Sequence, residues 1–249
     1  MFDESLLPVH LTSPDPARYF SKNFIILDVE TTNLQYGNPC IPENRLLLAV
    51  WYNGHTKETT VSWGGELEQG ALVAACEKAD FIIAHNAKME LGWLRRMGAD
   101  LSKLVVFDTM IAEYVLRGNQ RPFGLGLGEL APHYGAGFKD PFFDTSVNAG
   151  ICPSDMPASF VTRRCVKDVE QTRALFENQL EALASTNRLA TLYTHCLLTP
   201  VLTDIEFRGM HLDPEMTNET YEGAVDGFRK LEEELAQITN GINLRSPKQ

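Results

Sequence analysis

Five short apolar runs bounded by turn residues set the limits on what this chain can fold into: NFIILDVET, RLLLAVWYN, ETTVSW, FIIAHN and LVVFD. Each has strand length, with continuous apolar character or a period of two, so each is read as a β-strand. The first three follow closely on one another. Helical patterns alternate with the later ones: ELEQGALVAACEKA, AKMELGWLRRMG, TMIAEYVLRG, GLGELAPHYG and the long SFVTRRCVKDVEQTRALFENQLEALA. This order predicts an α/β fold, a mixed five-stranded sheet with helices on its faces. The stretch from Phe138 to Pro157 carries three prolines and no period, and reads as a long loop between helices.

From about Ser185 the pattern changes to two further helices with no strand, LATLYTHCLLTPVLTDIEFRGMHLD and PEMTNETYEGAVDGFRKLEEELAQITN. A domain over residues 1–185 and a helical C-terminal extension over 186–249 are expected. The sequence stops at GINLRSPKQ without another core element, which suggests a truncated boundary. With 249 residues, 44% of them hydrophobic, there is apolar material for one substantial core. No run approaches the roughly twenty apolar residues of a membrane helix, and MFDESLLPVHLTSPDP lacks the basic start of a signal peptide. A cytoplasmic address with no membrane partner is expected. Cys40, Cys76, Cys152, Cys165 and Cys196 are scattered without a C-x-x-C pair, so neither a disulfide framework nor a zinc site is indicated.

The formal charge of -11 argues against sequence-independent binding of duplex DNA, which depends on displacing counterions with Lys and Arg. It leaves room for chemistry on nucleic acid, because carboxylates load divalent cations and the cations then meet phosphate.

Four acids stand out against their surroundings. In NFIILDVET the strand period puts Phe24, Ile26, Asp28 and Glu30 on one face and Ile25, Leu27 and Val29 on the other. Taken alone, the two acids would mark a solvated strand end. On AKMELGWLRRMG, Glu90 shares a helical stripe with Trp93, Leu94 and Met97; a helix-start carboxylate satisfied by the macrodipole explains it equally well. On the long helix, Asp168 falls between Val161 and Leu175 on the apolar face, with Arg164 one turn earlier as an obvious ion-pair partner. Brought together, four carboxylates would raise one another's pKa unless cations sat between them. All-oxygen donors without a Cys or His cluster point to Mg²⁺ or Mn²⁺, and a pair of such ions suits in-line displacement at phosphorus.

The segments LDVETTNL, IIAHNAKMELGWL and RRCVKDVEQTRALF resemble the three motifs of the DEDD 3'-5' exonucleases, whose domain is ribonuclease H-like. The tail LTPVLTDIEFRGMHLD, a helix and NLRSPKQ resemble the start of the polymerase region of family A DNA polymerases, with viral relatives most alike in wording. The resemblance covers the chain from about Phe24 to Gln249. It implies a proofreading exonuclease that removes nucleoside 5'-monophosphates from single-stranded or frayed DNA 3' ends, partnered by the rest of a polymerase chain. Asp28, Glu30, Glu90 and Asp168 would hold two Mg²⁺ or Mn²⁺. Thr31 and Leu34 match positions that contact the terminal nucleotide, Leu34 as an apolar wedge. Asn86 matches the asparagine of the second motif, and His85 precedes it.

Two departures qualify what the resemblance implies. The second motif normally carries Asp where this chain has Glu90. The position expected to hold a water-orienting Tyr, four residues before the last Asp, holds Arg164, and the alternative His position holds Arg163. Arg does not act as a base at ordinary pH, so reduced activity, or pairing of Arg164 with Asp168 that empties the site, is weighed beside catalysis. The alternatives are a non-catalytic, structural or primer-end-binding module and an RNA 3'-end exonuclease. Two further features are discounted. FGLGLGEL precedes a helix without following a strand and fails the dinucleotide fingerprint; Asp108 in VVFDT reads as a helix cap.

Overall fold

The computed structural model describes residues 15–64, 70–118, 120, 123–240 and 242. Strands β1 (Phe24–Thr31), β2 (Leu46–Asn53), β3 (Thr59–Trp63), β4 (Phe81–Ala84) and β5 (Val106–Asp108) form one sheet in the order β3-β2-β1-β4-β5. The first three pair antiparallel, while β4 and β5 join parallel to β1. The sheet is mixed, as the strand and helix order implied.

The side-chain period of β1 divides the core. Ile25 and Leu27 face the layer of α1 (Ala71–Lys78) and α2 (Lys88–Arg96), packing with Leu72, Cys76, Leu91 and Leu94. Phe24 and Ile26 face α6 (Ala158–Ser185), where Val161, Cys165, Val169 and Phe176 cover β1 and β2. Phe176 meets the rings of Phe24, Phe81 and Phe107 at centroid distances of 5.4, 5.9 and 4.9 Å. Truncating it to Ala would cost about 3–5 kcal/mol. Helix α3 (Thr109–Arg117) follows β5, and the short α4 (Leu127–Leu130) follows α3.

The segment from Phe138 to Pro157, read from sequence as a loop, contains helix α5 (Pro141–Asn148). Asp140 caps it by accepting from the Phe142 amide at 3.0 Å, Pro141 stands in its first turn, and Phe143 is buried. Proline breaks a helix interior but suits its start, where no amide donor is needed. With only eight residues, α5 shows little period, and the docking of Phe143 on the core stabilises it.

The compact unit that contains the sheet extends through Arg208, so the boundary expected near Ser185 falls inside it. Helix α7 (Leu189–Arg208) buries Leu192, Tyr193 and Cys196 in the same core as α6. Ion pairs Arg95–Asp204 at 3.0 Å and Lys88–Glu206 at 2.6 Å tie it to α2. An apolar helix and a lack of strands signalled a new unit in the sequence; side-chain packing assigns α7 to the first. The second unit, Gly209–Gln249, is described by helix α8 (Pro214–Ile238), capped by Asp213, which accepts from the Glu215 and Met216 amides. Among the described residues no helix is long and apolar enough to cross a membrane. The five cysteine residues carry free thiols.

Candidate active site

The parallel pairing of β1 with β4 runs only from Phe24 to Ile26, so Asp28 and Glu30 lie beyond it, at the end of β1 where β4 has already turned away. The pairing with β2 continues alongside them and shifts register between Glu30 and Thr31, an irregularity that sets the aim of the last strand residues. Both acids are half-buried.

Chain direction brings Glu90 to the same end. After Ala84 the backbone turns through His85–Ala87 into α2, with Asn86 in the left-handed region at φ 62. Asp108 fixes that turn, accepting from the amides of Asn86 at 3.1 Å and Ala87 at 2.9 Å. It also caps α3 through the amides of Met110 and Ile111 at 2.8 and 3.3 Å. The cap read from the sequence is therefore one half of its role; the other half positions the helix that carries Glu90. Glu90 is buried in the first turn of α2, and among the described residues its Oε2 has no hydrogen-bond partner.

The three acids feel one another. Burial, then the charge of Asp168, pushes the Asp28 carboxyl up to about 7. Burial and then Asp28 raise Glu30 well above the usual carboxylate range, and the same two causes raise Glu90. Across the seam between α6 and β1, the Cys165 thiol donates to Asp28 Oδ2 at 3.0 Å and lies 3.4 Å from the Asp28 carbonyl. In the sequence Cys165 is one of five scattered cysteines, and nothing there marks it as the neighbour of Asp28.

Asp168 has a different environment. Arg164 Nη1 donates to its Oδ1 at 2.8 Å, and Lys139 Nζ donates to its Oδ2 at 2.8 Å. Arg164 also donates to Asp144 Oδ1 at 3.1 Å, and its guanidinium lies 5.1 Å over the Phe143 ring. The Arg164 pairing follows the helical spacing of the sequence. Lys139 was not anticipated: it comes from the segment before α5, and its only sequence signal was a basic residue in a stretch without a period. Arg163 is exposed, with its guanidinium 5.5 Å over Phe160.

The remaining candidates surround this edge. Leu34 is half-exposed at 51% and Tyr36 stands out at 94%. Both ride on a turn that Asn44 staples: its Oδ1 accepts from the Leu34 amide and the Thr32 hydroxyl, and its Nδ2 donates to the Leu34 and Asn38 carbonyls. Gly37 closes the turn at φ 73, and a Cβ there would fall 2.3 Å from Thr31 Oγ1, so only glycine fits beside Thr31. Neither Asn44 nor Tyr36 was singled out from the sequence. His85 is half-buried with Nδ1 at 2.8 Å from the Thr109 hydroxyl; burial and then the Lys139 ammonium lower its pKa to about 4, so it is neutral at pH 7. Asn86 is exposed. An open cavity of about 580 Å³, lined in part by Phe138, Phe160, Arg163, Arg164 and Lys167, adjoins the Arg164 side.

The donor chemistry of Asp28, Glu30 and Glu90 fits a hard divalent cation, since burial and neighbouring carboxylates raise all three and, among the described residues, one Glu90 oxygen is without a partner. Asp168 does not fit as a fourth ligand, because both of its oxygens already bind basic side chains. In this arrangement no three His, Cys, Asp or Glu side chains among the described residues are grouped so as to hold a metal ion.

The fold is shared with solved structures. Over 98% of this chain it matches the POL domain of Pol1 from M. smegmatis, solved in complex with DNA primer-template and dNTP, at 19% identity and a TM-score of 0.61. This chain spans 38% of that one. Brucella melitensis NrnC with bound Mg²⁺ matches 79% of this chain and 90% of its own, at 17% identity and a TM-score of 0.58. The catalytic core of RRP6 from Trypanosoma brucei, in its C496S mutant, matches 82% of this chain and 53% of its own, at 17% identity and a TM-score of 0.56. At these identities the likeness shows a shared fold, the mixed five-stranded sheet flanked by helices. No protein-family model matches the sequence, and no curated protein does.

Proposed function

We propose that this protein is a 3'-5' exonuclease that removes nucleoside 5'-monophosphates from DNA 3' ends, as the proofreading part of a family A polymerase. The observation that carries the reading is the electrostatic coupling of Asp28, Glu30 and Glu90 near the open end of β1, with carboxyl groups that burial and neighbouring carboxylates hold above their ordinary pKa. Such a set calls for a cation. The shared fold supports the reading, as does the extension of the Pol1 match over nearly the whole chain, helices α7 and α8 included.

Asp28, Glu30 and Glu90 would hold the cation, which supplies a polarised water and positive charge against the phosphate. The other roles belong to side chains. Leu34, half-exposed on its stapled turn, offers an apolar edge to the terminal base. The aromatic and basic lining of the adjoining cavity suits a single strand, whose bases stack while its phosphates meet Arg and Lys. Arg164 offers charge and hydrogen bonds to a phosphate oxygen but no base. The neutral His85 is turned to Thr109.

A second reading, a non-catalytic module that binds 3' ends, is favoured by the two basic side chains on Asp168. One experiment separates them: release of mononucleotides from 3'-labelled single-stranded DNA with Mg²⁺ or Mn²⁺, against an Asp28→Ala, Glu30→Ala double variant. The exonuclease reading expects metal-dependent product that the double variant lacks. Equal product from both, or none from either, overturns it. Matched DNA and RNA oligonucleotides in the same assay decide between DNA and RNA ends.

A further inference from the structure

Lys139 is delivered to Asp168 by three separate features. Gln171 on α6 donates to the carbonyls of Ala136 and Gly137 at 3.4 and 3.3 Å, holding the backbone just before Lys139 against the helix. Gly128 on α4 leaves room for the lysine stem, since a Cβ there would lie 3.2 Å from Lys139 Cδ and 3.5 Å from its Cγ. This accounts for one glycine of the FGLGLGEL stretch, which no nucleotide fingerprint explains. Asp140, the next residue, is committed to capping α5. The ammonium at the end of this path is largely buried, the Lys139 side chain being 17% exposed and that of Asp168 6%.

The ammonium sits at the Asp168 end of the site, 2.8 Å from Oδ2. A buried ammonium with one short ion pair to a site carboxylate does electrostatically what a bound cation does.

We propose that Lys139 is a built-in cation of this site: its ammonium on Asp168 takes the place of one of two divalent ions, and the site accepts a single divalent ion on Asp28, Glu30 and Glu90. The inference rests on the cation-site half of the reading above and is independent of whether the site hydrolyses nucleic acid. Arg164 holds the other Asp168 oxygen, so the carboxylate is neutralised without metal.

The test is Mn²⁺ stoichiometry of the full chain, by calorimetric titration and by EPR. The wild type binds one Mn²⁺ with the spectrum of an isolated ion. Lys139→Met keeps the stem over Gly128 and removes the charge; it, or its combination with Arg164→Tyr, binds a second Mn²⁺ and shows spin coupling between the two. The proposal is overturned by two coupled ions in the wild type, which would mean that the lysine leaves Asp168 on metal binding. It is also overturned by no bound ion in the wild type, or by a stoichiometry that both variants leave at one. The wild-type measurement stands even if a variant fails to fold. Mononucleotide release from the same wild-type sample separates the two readings: one bound ion without hydrolysis sinks the nuclease and leaves the lysine in its role.

Discussion

Arg164 and Asp168 lie one turn apart on α6 and share a hydrogen bond of 2.8 Å, with the guanidinium anchored on its far side by Asp144. Arg164 thus holds one oxygen of Asp168, whose other oxygen binds Lys139. Arg164→Tyr removes one of the two basic partners of Asp168 and puts a hydroxyl able to orient water in its place. The expected outcome is a rise in mononucleotide release of about tenfold, in line with what a positioned water contributes to a barrier. Unchanged or lower release would show that Arg164 does not restrain the reaction.

Asp28 makes stability depend on pH. A carboxyl whose folded pKa stands near 7, against about 4 unfolded, binds its proton more tightly in the folded state. The stability it gives is therefore complete below about pH 4 and is lost as pH rises through about 7. Without divalent ions, the protein is expected to melt at a lower temperature at pH 8 than at pH 5.5. Asp28→Asn should lessen that dependence, Glu30 and Glu90 keeping the remainder, and stabilise the metal-free protein at pH 8 by about 2 kcal/mol, roughly 6 °C in Tm. A wild-type Tm that does not fall over this window would remove Asp28 as its source.

Asp108 holds four backbone amides, two in the turn before α2 and two at the start of α3. Asp108→Ala loses a helix cap and leaves buried donors without partners, at a cost of about 3–4 kcal/mol. Denaturant titration measures this directly. A loss under about 1 kcal/mol, the size of a simple exposed cap, would mean that the turn before α2 does not depend on it.

Leu34 makes no hydrogen bond with its side chain, and its turn is held by Asn44 through backbone groups. Leu34→Ala should leave Tm within about 1 °C while weakening the hold on the terminal nucleotide, seen as a several-fold rise in KM for single-stranded DNA. Asn44→Ala should do the reverse in emphasis, lowering Tm first, because four hydrogen bonds of the staple go with it. A KM unchanged by Leu34→Ala would remove the wedge.

Local pattern determined a great deal of this protein. The period of two in NFIILDVET assigned Phe24, Ile26, Asp28 and Glu30 to one face, and the packing of Phe24 and Ile26 against α6 agrees. The spacing around Glu90 and Asp168 set both on apolar helix faces, and the relation of Arg164 to Asp168 is one of helical turns, so sequence distance alone disclosed it. Interactions between residues far apart in the chain leave no such trace. Lys139 and Asp168 are brought together by the clamp of Gln171 and the gap at Gly128; Cys165 and Asp28 meet only because α6 crosses β1. Helix α5 and the placement of α7 were likewise decided by where Phe143, Leu192 and Tyr193 find a core to enter. The sequence by itself determined which faces carry the acids, because periodicity is a property of the local backbone. Only the tertiary structure decided which neighbours each acid meets, because charge acts through space and not along the chain.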